Sequence, residues 1–184
     1  MPRSPVLRDH AAAAILDTAA HVLAERREAA SLAEIAEAAG VARSTLYRYF
    51  PSRDALLAAL AETAGREIAA RVGAAELDAV PMPDALARVT RGFLATGSKY
   101  IALAALWPKP ADAGDEISGP LLGLFRRGIA EGTLRSDIPA EMLLAVYADL
   151  IEGAIKRMAR DNAGVEGASS AVLRIFLDGA AARR

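Results

Sequence analysis

The sequence predicts an all-α fold, and three observations support this prediction. The chain has 184 residues and is 53% hydrophobic, and much of that fraction is alanine, which has the highest intrinsic helix propensity. Aromatic residues make up only 5%, and the β-branched and aromatic residues that favour strands are sparse. Apolar residues recur at helical spacing along the chain, with no alternating strand pattern and no internal repeat.

The composition argues against several kinds of site. The chain contains no cysteine, so we expect no disulfide framework and no thiolate metal site. The histidines His10 and His21 are eleven residues apart in one predicted helix, which does not make a local metal pair. We find no P-loop, G-x-G-x-x-G, H-E-x-x-H or G-x-S-x-G motif. No metal and no cofactor is therefore expected.

The chain also lacks signals for export or membrane insertion. Its N-terminus has no apolar signal-peptide region. The longest apolar run, which ends at Trp107, is far too short to cross a bilayer. We therefore expect a soluble, cytoplasmic protein without a membrane partner.

The first helix is predicted from Leu7 to Arg27, after an arm that holds two prolines and Arg3. Thr18 is the one polar residue on its apolar face, and its hydroxyl can bond a carbonyl of the preceding turn. The apolar face itself consists of small and aliphatic residues at helical spacing. These are Ala11, Ala14, Ile15, Ala19, Val22 and Leu23.

The segment from Ser31 to Phe50 predicts two short helices joined by a tight turn. The first runs from Leu32 to about Ala39, with Ser31 as N-cap and Glu34 completing a capping box. Gly40 ends it, because glycine enters the left-handed region without a Cβ clash.

The second of these helices is predicted from Arg43 to Tyr49. Leu46 and Phe50 are four residues apart and therefore point to the same, inward side. Ala36 lies where two steeply crossing helices come closest, a position that needs a small side chain. The other residues of the second helix are then left on the outside. They are Arg43, Ser44, Thr45, Tyr47 and Arg48.

The outer face of the second helix predicts DNA binding. It carries two arginines, two hydroxyls and a tyrosine, the side chains that bind phosphates and base edges. The net charge of −1 gives no sign of nucleic-acid binding by the whole chain. However, three arginines and no acid lie between Val41 and Arg53, and a local basic surface suffices. The alternative is a surface helical hairpin whose polarity is accidental.

The remaining chain predicts further helices, which bring the total to about nine. Ser52 can cap a long helix that begins at Arg53, so we place a first domain at residues 1–52 and a second at 53–184. Gly97 and Ser98 predict a break or kink, and Lys109 to Ser118 predicts a polar loop. The predicted helices after the first three span residues 53–72, 84–96, 98–107, 120–131, 139–160 and 169–182.

The last two predicted helices, at residues 139–160 and 169–182, carry more apolar surface than one neighbour covers. Gly153 in mid-helix costs up to about 1 kcal/mol relative to alanine, so it suits a place where another helix comes close. We therefore expect a homodimer through these two helices. The alternative is that they only complete the core of a monomer.

The segment SLAEIAEAAGVARSTLYRYFPSRDALL, residues 31–57, resembles the DNA-binding domain of the TetR/AcrR family of bacterial transcriptional regulators. The resemblance implies an all-helical homodimer in which three N-terminal helices bind DNA and about six form a ligand pocket and dimer interface. Three features depart from the family pattern: Arg53 replaces the more usual lysine, Tyr49 replaces histidine, and residues 28–30 lack a glycine. They leave the operator sequence open.

The resemblance and the side-chain chemistry together give the candidate DNA-binding residues. Arg43 and Arg48 are candidates for guanine recognition or phosphate contact. Thr45 suits a thymine methyl or a phosphate, and Tyr47 a phosphate. Arg3 and Arg8 are candidates for phosphate or minor-groove contact. The full set on the motif is Ser31, Arg43, Ser44, Thr45, Tyr47, Arg48 and Arg53, with Ser31 and Arg53 as phosphate anchors.

We expect this protein to be a transcriptional repressor that binds a palindromic operator. Its second domain is expected to bind a small, largely apolar or aromatic effector, which releases the protein from the operator. Two alternatives remain: an all-helical enzyme, for which Asp112, Asp115 and Glu116 are the only dense acids, and a helical interaction module without DNA binding. Each candidate pocket residue can equally be plain core. The candidates are Phe93, Thr96, Tyr100, Leu103, Trp107, Phe125, Met142 and Tyr147.

Overall fold

The computed structural model describes residues 5–26, 30–100, 115–161 and 163–181. Within these ranges the chain forms eight helices and no strand beyond one isolated bridge between Leu134 and Ala181, which confirms the all-α fold. Most of the predicted helix at residues 98–107 lies outside the described residues. The helices are α1 (Pro5–Arg26), α2 (Leu32–Ala38), α3 (Arg43–Tyr49), α4 (Arg53–Ala74), α5 (Met82–Lys99), α6 (Asp115–Ala130), α7 (Ala140–Asp161) and α8 (Val165–Ala180).

The described residues form two compact units. The first contains the residues up to Thr63 together with Lys99 and Tyr100, and the second contains Ala64–Ser98 and the residues from Asp115 onward. Helix α4 begins in the first unit and continues into the second. None of the helices in the described ranges is long and apolar enough to cross a membrane.

The core of the first unit is built mainly from the predicted apolar faces of its helices, although Ala14, predicted on the apolar face of α1, is exposed. Ile15 and Leu23 of α1 are buried, as are Ile35 of α2 and Leu46 of α3. The hydroxyl of Thr18 donates to the carbonyl of Ala14 at 3.0 Å, as predicted for this polar position. Burial of these aliphatic side chains, each worth about 1.5–3 kcal/mol, holds the three helices together.

The core of the second unit centres on three aromatic rings from three helices. Tyr147 of α7 lies 5.6 Å from Phe125 of α6 and 5.4 Å from Phe176 of α8, measured between ring centroids. The Tyr147 hydroxyl is 2.8 Å from the hydroxyl of Thr90, which in turn donates to the carbonyl of Leu86 at 2.7 Å. Tyr147 is therefore the donor to Thr90, and burial raises the pKa of its phenol. This bond links α5 to α7.

Of the break or kink predicted at Gly97 and Ser98, the break is wrong, because α5 continues through Lys99, and the kink stays a prediction. A Cβ atom at Gly97 would lie 2.3 Å from Cδ1 of Ile155, so the glycine lets α5 approach α7. The role of Gly97 is therefore set by Ile155, a neighbour that is distant in sequence.

Helix α6 already includes Asp115, five residues before Pro120, so the predicted polar loop is too long at its C-terminal end. Pro120 lies inside the helix, where it removes one backbone hydrogen bond. Likewise α8 begins at Val165 rather than at Ser169. The bounds of the other described helices agree with the predicted ones within the usual fraying of one or two residues.

We expect Gly97→Ala to lower the free energy of unfolding by about 1–3 kcal/mol, because the new methyl group overlaps Ile155. Gly123→Ala in α6 is the matched control, since nothing lies within 4 Å of its added Cβ. The control should be neutral or stabilising by up to about 1 kcal/mol. Urea unfolding of both variants measures the difference, and equal effects would contradict the close approach of α5 and α7.

We expect Tyr147→Phe to destabilise the protein by about 1 kcal/mol, because Thr90 loses its donor while the ring packing stays intact. Tyr47→Phe removes the hydroxyl of a ring that is 49% exposed and should leave stability unchanged. Thermal unfolding of the two variants makes the comparison. An unchanged midpoint for Tyr147→Phe would show that the bond contributes nothing.

Candidate nucleic-acid interface

The start of α2 is fixed by the predicted capping box. The backbone N–H of Glu34 donates to Oγ of Ser31 at 3.2 Å, and the backbone N–H of Ser31 donates to Oε2 of Glu34 at 2.8 Å. The bond from that backbone N–H is the main reason that the pKa of Glu34 lies below its usual value. The cap therefore stabilises α2 at neutral pH and is lost as the pH falls through the lowered pKa.

The turn between α2 and α3 sets the direction of α3. Gly40 has a φ of +65°, as its role as helix terminator requires. The N–H of Val41 donates to the carbonyl of Ala36 at 3.0 Å, and the N–H of Gly40 donates to that of Glu37 at 3.0 Å. These two bonds form a Schellman motif. Ala36 is fully buried at this crossing, as predicted for a small residue.

Helix α3 has the predicted bounds, Arg43–Tyr49, and presents its polar residues outward. Leu46 and, just beyond the helix, Phe50 are buried and hold the helix against the unit. The candidate DNA-binding residues of α3 lie on the opposite side. Arg43, Ser44, Tyr47 and Arg48 are exposed, and Thr45 is half-buried.

The two arginines of α3 differ in their surroundings. The Arg48 guanidinium lies 5.4 Å from the ring centroid of Tyr49, a cation–π contact that orients it. Arg43 is exposed and makes no hydrogen bond or ion pair with any described residue. Because no acid lies between Val41 and Arg53, the two cations remain available to an anionic partner.

Arg53 makes an internal contact that the sequence does not reveal. Its Nη1 atom donates to the backbone carbonyl of Ala30, so the start of α4 is linked to the residue before the Ser31 cap. The Ser52 hydroxyl accepts from the N–H of Ala55 at 3.1 Å, which confirms Ser52 as the cap of α4. A guanidinium has five donors, so the bond to Ala30 leaves other donors of Arg53 for a phosphate. The contact of Arg53 with a phosphate stays a prediction.

The candidate ligand residues lie in different surroundings. Phe125 and Tyr147 pack together in the second unit, and Phe93 there is half-buried. Thr96 is buried, and its hydroxyl has no partner among the described residues. Met142 is 57% exposed, Tyr100 is buried in the first unit, and Leu103 and Trp107 lie outside the described residues.

The remaining candidates from the sequence are the N-terminal arginines and the acids at residues 112–116. Arg3 and Asp112 lie outside the described residues, and the side chain of Arg8 is not described. Asp115 and Glu116 lie in α6. Across the described ranges, no group of three or more histidine, cysteine or acidic side chains is arranged to hold a metal ion.

Sequence reasoning missed a cluster of three arginines, Arg71, Arg88 and Arg91, which line one groove of the second unit. Arg88 and Arg91 are three residues apart and so share one face of α5. That spacing is the only local signal. The position of Arg71 beside them depends on how α4 packs on α5.

Comparison with known proteins agrees with this geometry. The family model described as "Bacterial regulatory proteins, tetR family" matches residues 15–60. The transcriptional repressor LfrR of Mycolicibacterium smegmatis is 43% identical over 90 residues, which cover 49% of this chain but only 47% of that protein. The transcriptional regulator NfxB of Pseudomonas aeruginosa is 26% identical over 168 residues, covering 84% and 86% of the two chains.

Similarity at the level of structure extends over nearly the whole chain. The crystal structure of LfrR from Mycobacterium smegmatis in complex with proflavine has a TM-score of 0.73 and 30% sequence identity. The alignment covers 94% of this chain and 97% of that one. Both relatives are transcriptional regulators, which act by binding DNA, so the alternative of an all-helical enzyme is not supported. This chain belongs to the TetR family of DNA-binding transcriptional regulators.

Proposed function

We propose that this protein is a homodimeric repressor that leaves a palindromic operator when a small-molecule effector binds its second unit. The observation that carries the proposal is the outer face of α3, which is exposed and bears Arg43 and Arg48 without an acid. Planar guanidinium groups on such a face can bond the two acceptors of a guanine edge or contact phosphates.

The rigid attachment of α3 supports a recognition role. Leu46 is completely buried, and the Schellman bonds at Gly40 fix the angle between α2 and α3. Side chains that read bases must be held on a rigid element, because small displacements break bidentate bonds. Ser31, Ser44, Thr45, Tyr47 and Arg53 are proposed as the surrounding contacts, mostly to phosphates.

The exposed apolar residues support a dimer through α7 and α8. Among the described residues, four large hydrophobic side chains are exposed, and only Tyr47 of these lies on α3. The other three are Met142 and Val146 of α7 and Ile175 of α8, which is 63% exposed. Gly153 of α7 is also exposed, with open space where its Cβ would be. Such a face suits a second copy of the same two helices.

A two-fold dimer explains why a neutral chain can bind DNA specifically. Two copies of α3 about 34–36 Å apart enter successive major grooves on one side of the duplex. The operator is then a palindrome or near-palindrome. Each subunit contributes only a few cations, and the pairing of subunits supplies the rest of the affinity.

The effector role rests on the core of the second unit and on the family. LfrR was crystallised in complex with proflavine, and we propose a small, largely apolar or aromatic effector for this chain as well. Phe93, Thr96, Phe125 and Tyr147 are the described candidates in the second unit. An effector shifts the protein off DNA only by its differential affinity for the two states.

We expect Arg43→Ala and Arg48→Ala each to weaken binding to DNA from the protein's own promoter by about 10–100-fold, the usual cost of a lost base contact. Fluorescence anisotropy with a labelled fragment measures this. Arg126→Ala, which removes an exposed arginine of α6 paired with Glu141, is the matched control.

Binding of the same variants to unrelated DNA of equal length distinguishes base recognition from phosphate contact for each arginine. A base-reading arginine loses more affinity on the operator than on unrelated DNA, whereas a phosphate contact loses the same on both. Unchanged affinity in both variants would overturn the proposed interface and favour a helical interaction module.

We expect Ile175→Asp and Met142→Glu to raise the dimer dissociation constant at least about a hundredfold, because each substitution occurs twice in a two-fold interface. Operator affinity should fall in parallel. Sedimentation velocity measures the association, with Ala70→Glu at an exposed position of α4 as control. A dimer that survives both substitutions would place the interface elsewhere.

A further inference from the structure

A groove of about 630 Å³ lies on the second unit, between the end of α4, the outer face of α5 and the start of α8. Its charged lining comes from three arginines and one glutamate, a net charge of +2. Small side chains, among them Ala74, Ala95 and Gly92, form the rest of its wall. An open concave surface with this charge favours a small dianion.

Arg71 is the free cation of the groove. It is exposed and makes no hydrogen bond or ion pair with any residue in the described ranges. Its aliphatic stem lies against α5, because a Cβ at Gly92 would be only 3.4 Å from Cδ of Arg71. The glycine thus lets the stem pack, which positions the guanidinium at the groove.

Arg91 already holds an oxyanion from the chain itself. Its Nε atom donates to Oε1 of Glu166 at 2.9 Å. The Glu166 side chain is 73% exposed, so its displacement costs little, since exposed ion pairs contribute little to stability. Arg88 is partly engaged, with its Nη1 atom 3.2 Å from the carbonyl of Ala75 and 3.4 Å from Glu76.

We infer that this groove binds the phosphate group of a small molecule, with Arg71 and Arg91 as its direct ligands and Glu166 as an internal competitor. Arginine forks match the oxygens of phosphate in bidentate geometry. Glu166 balances only one of the three arginine charges, and a dianion balances the net charge of +2 that remains. The phosphate displaces Glu166 from Arg91 and recruits Arg71, thereby linking α4 to α5.

The test measures binding of inorganic phosphate to the full chain, by calorimetry against sodium chloride at equal ionic strength. No DNA is present, so the result is independent of the proposed repressor function. Phosphate should bind and raise the melting temperature, because it binds the folded state. Arg71→Gln and Arg91→Gln should each weaken binding by about tenfold, as expected for loss of a charged hydrogen bond.

Glu166→Gln should strengthen phosphate binding severalfold, because it removes the competing carboxylate. This opposite sign separates a specific effect from general destabilisation. Arg126→Gln is the matched control: it also removes an exposed arginine paired with one glutamate, Glu141, and it should leave binding unchanged. The proposal is overturned if phosphate binds no better than chloride, or if Arg71→Gln and Arg91→Gln bind as well as the unaltered protein.

Discussion

The orientation of α3 depends on one backbone position, Gly40. Its positive φ lets the chain reverse within two residues, and the bonds from the N–H groups of Gly40 and Val41 close the end of α2. The burial of Ala36 and Leu46 then fixes how closely the two helices cross. Everything that α3 offers to DNA follows from this turn, because the same packing that buries Leu46 exposes the arginines.

Locality of charge explains how a chain with a net charge of −1 can serve as a DNA-binding protein. The acids of the first unit lie outside residues 41–53. One of them, Glu34, accepts hydrogen bonds from Ser31 and Arg26. The cations of α3 have no acid within their own segment. Weak attraction by the few cations of one subunit is a physical reason for the proposed dimer, because pairing doubles the number of cations that meet the DNA.

The sequence predicts best what is determined within a few residues. The capping box, the glycine turn, the bounds of α3 and the Ser52 cap all depend on neighbours in the chain, and the structure confirms them. It predicts worst what depends on distant partners. From local sequence Gly97 predicts a helix break. Its actual role is to leave room for Ile155, which is far away in sequence and therefore gives no local signal.

The same limit applies to the sites. The face of α3 could be predicted because helical spacing alone assigns its residues to one side. The link from Arg53 to Ala30 and the approach of Arg71 to Gly92 could not, since both depend on tertiary packing. The proposed effector pocket is the hardest case, because the chemistry of buried aromatic residues such as Phe125 and Tyr147 is the same for core packing as for ligand binding.

The salt dependence of operator binding by the unaltered protein is the most direct test of DNA binding through the α3 face. Phosphate contacts release counterions, so the logarithm of the binding constant should fall linearly with the logarithm of salt concentration, by about 0.9 for each contact. We expect a slope that corresponds to several contacts per dimer. A binding constant that does not change with salt would contradict the assignment of the α3 face as a DNA-binding surface.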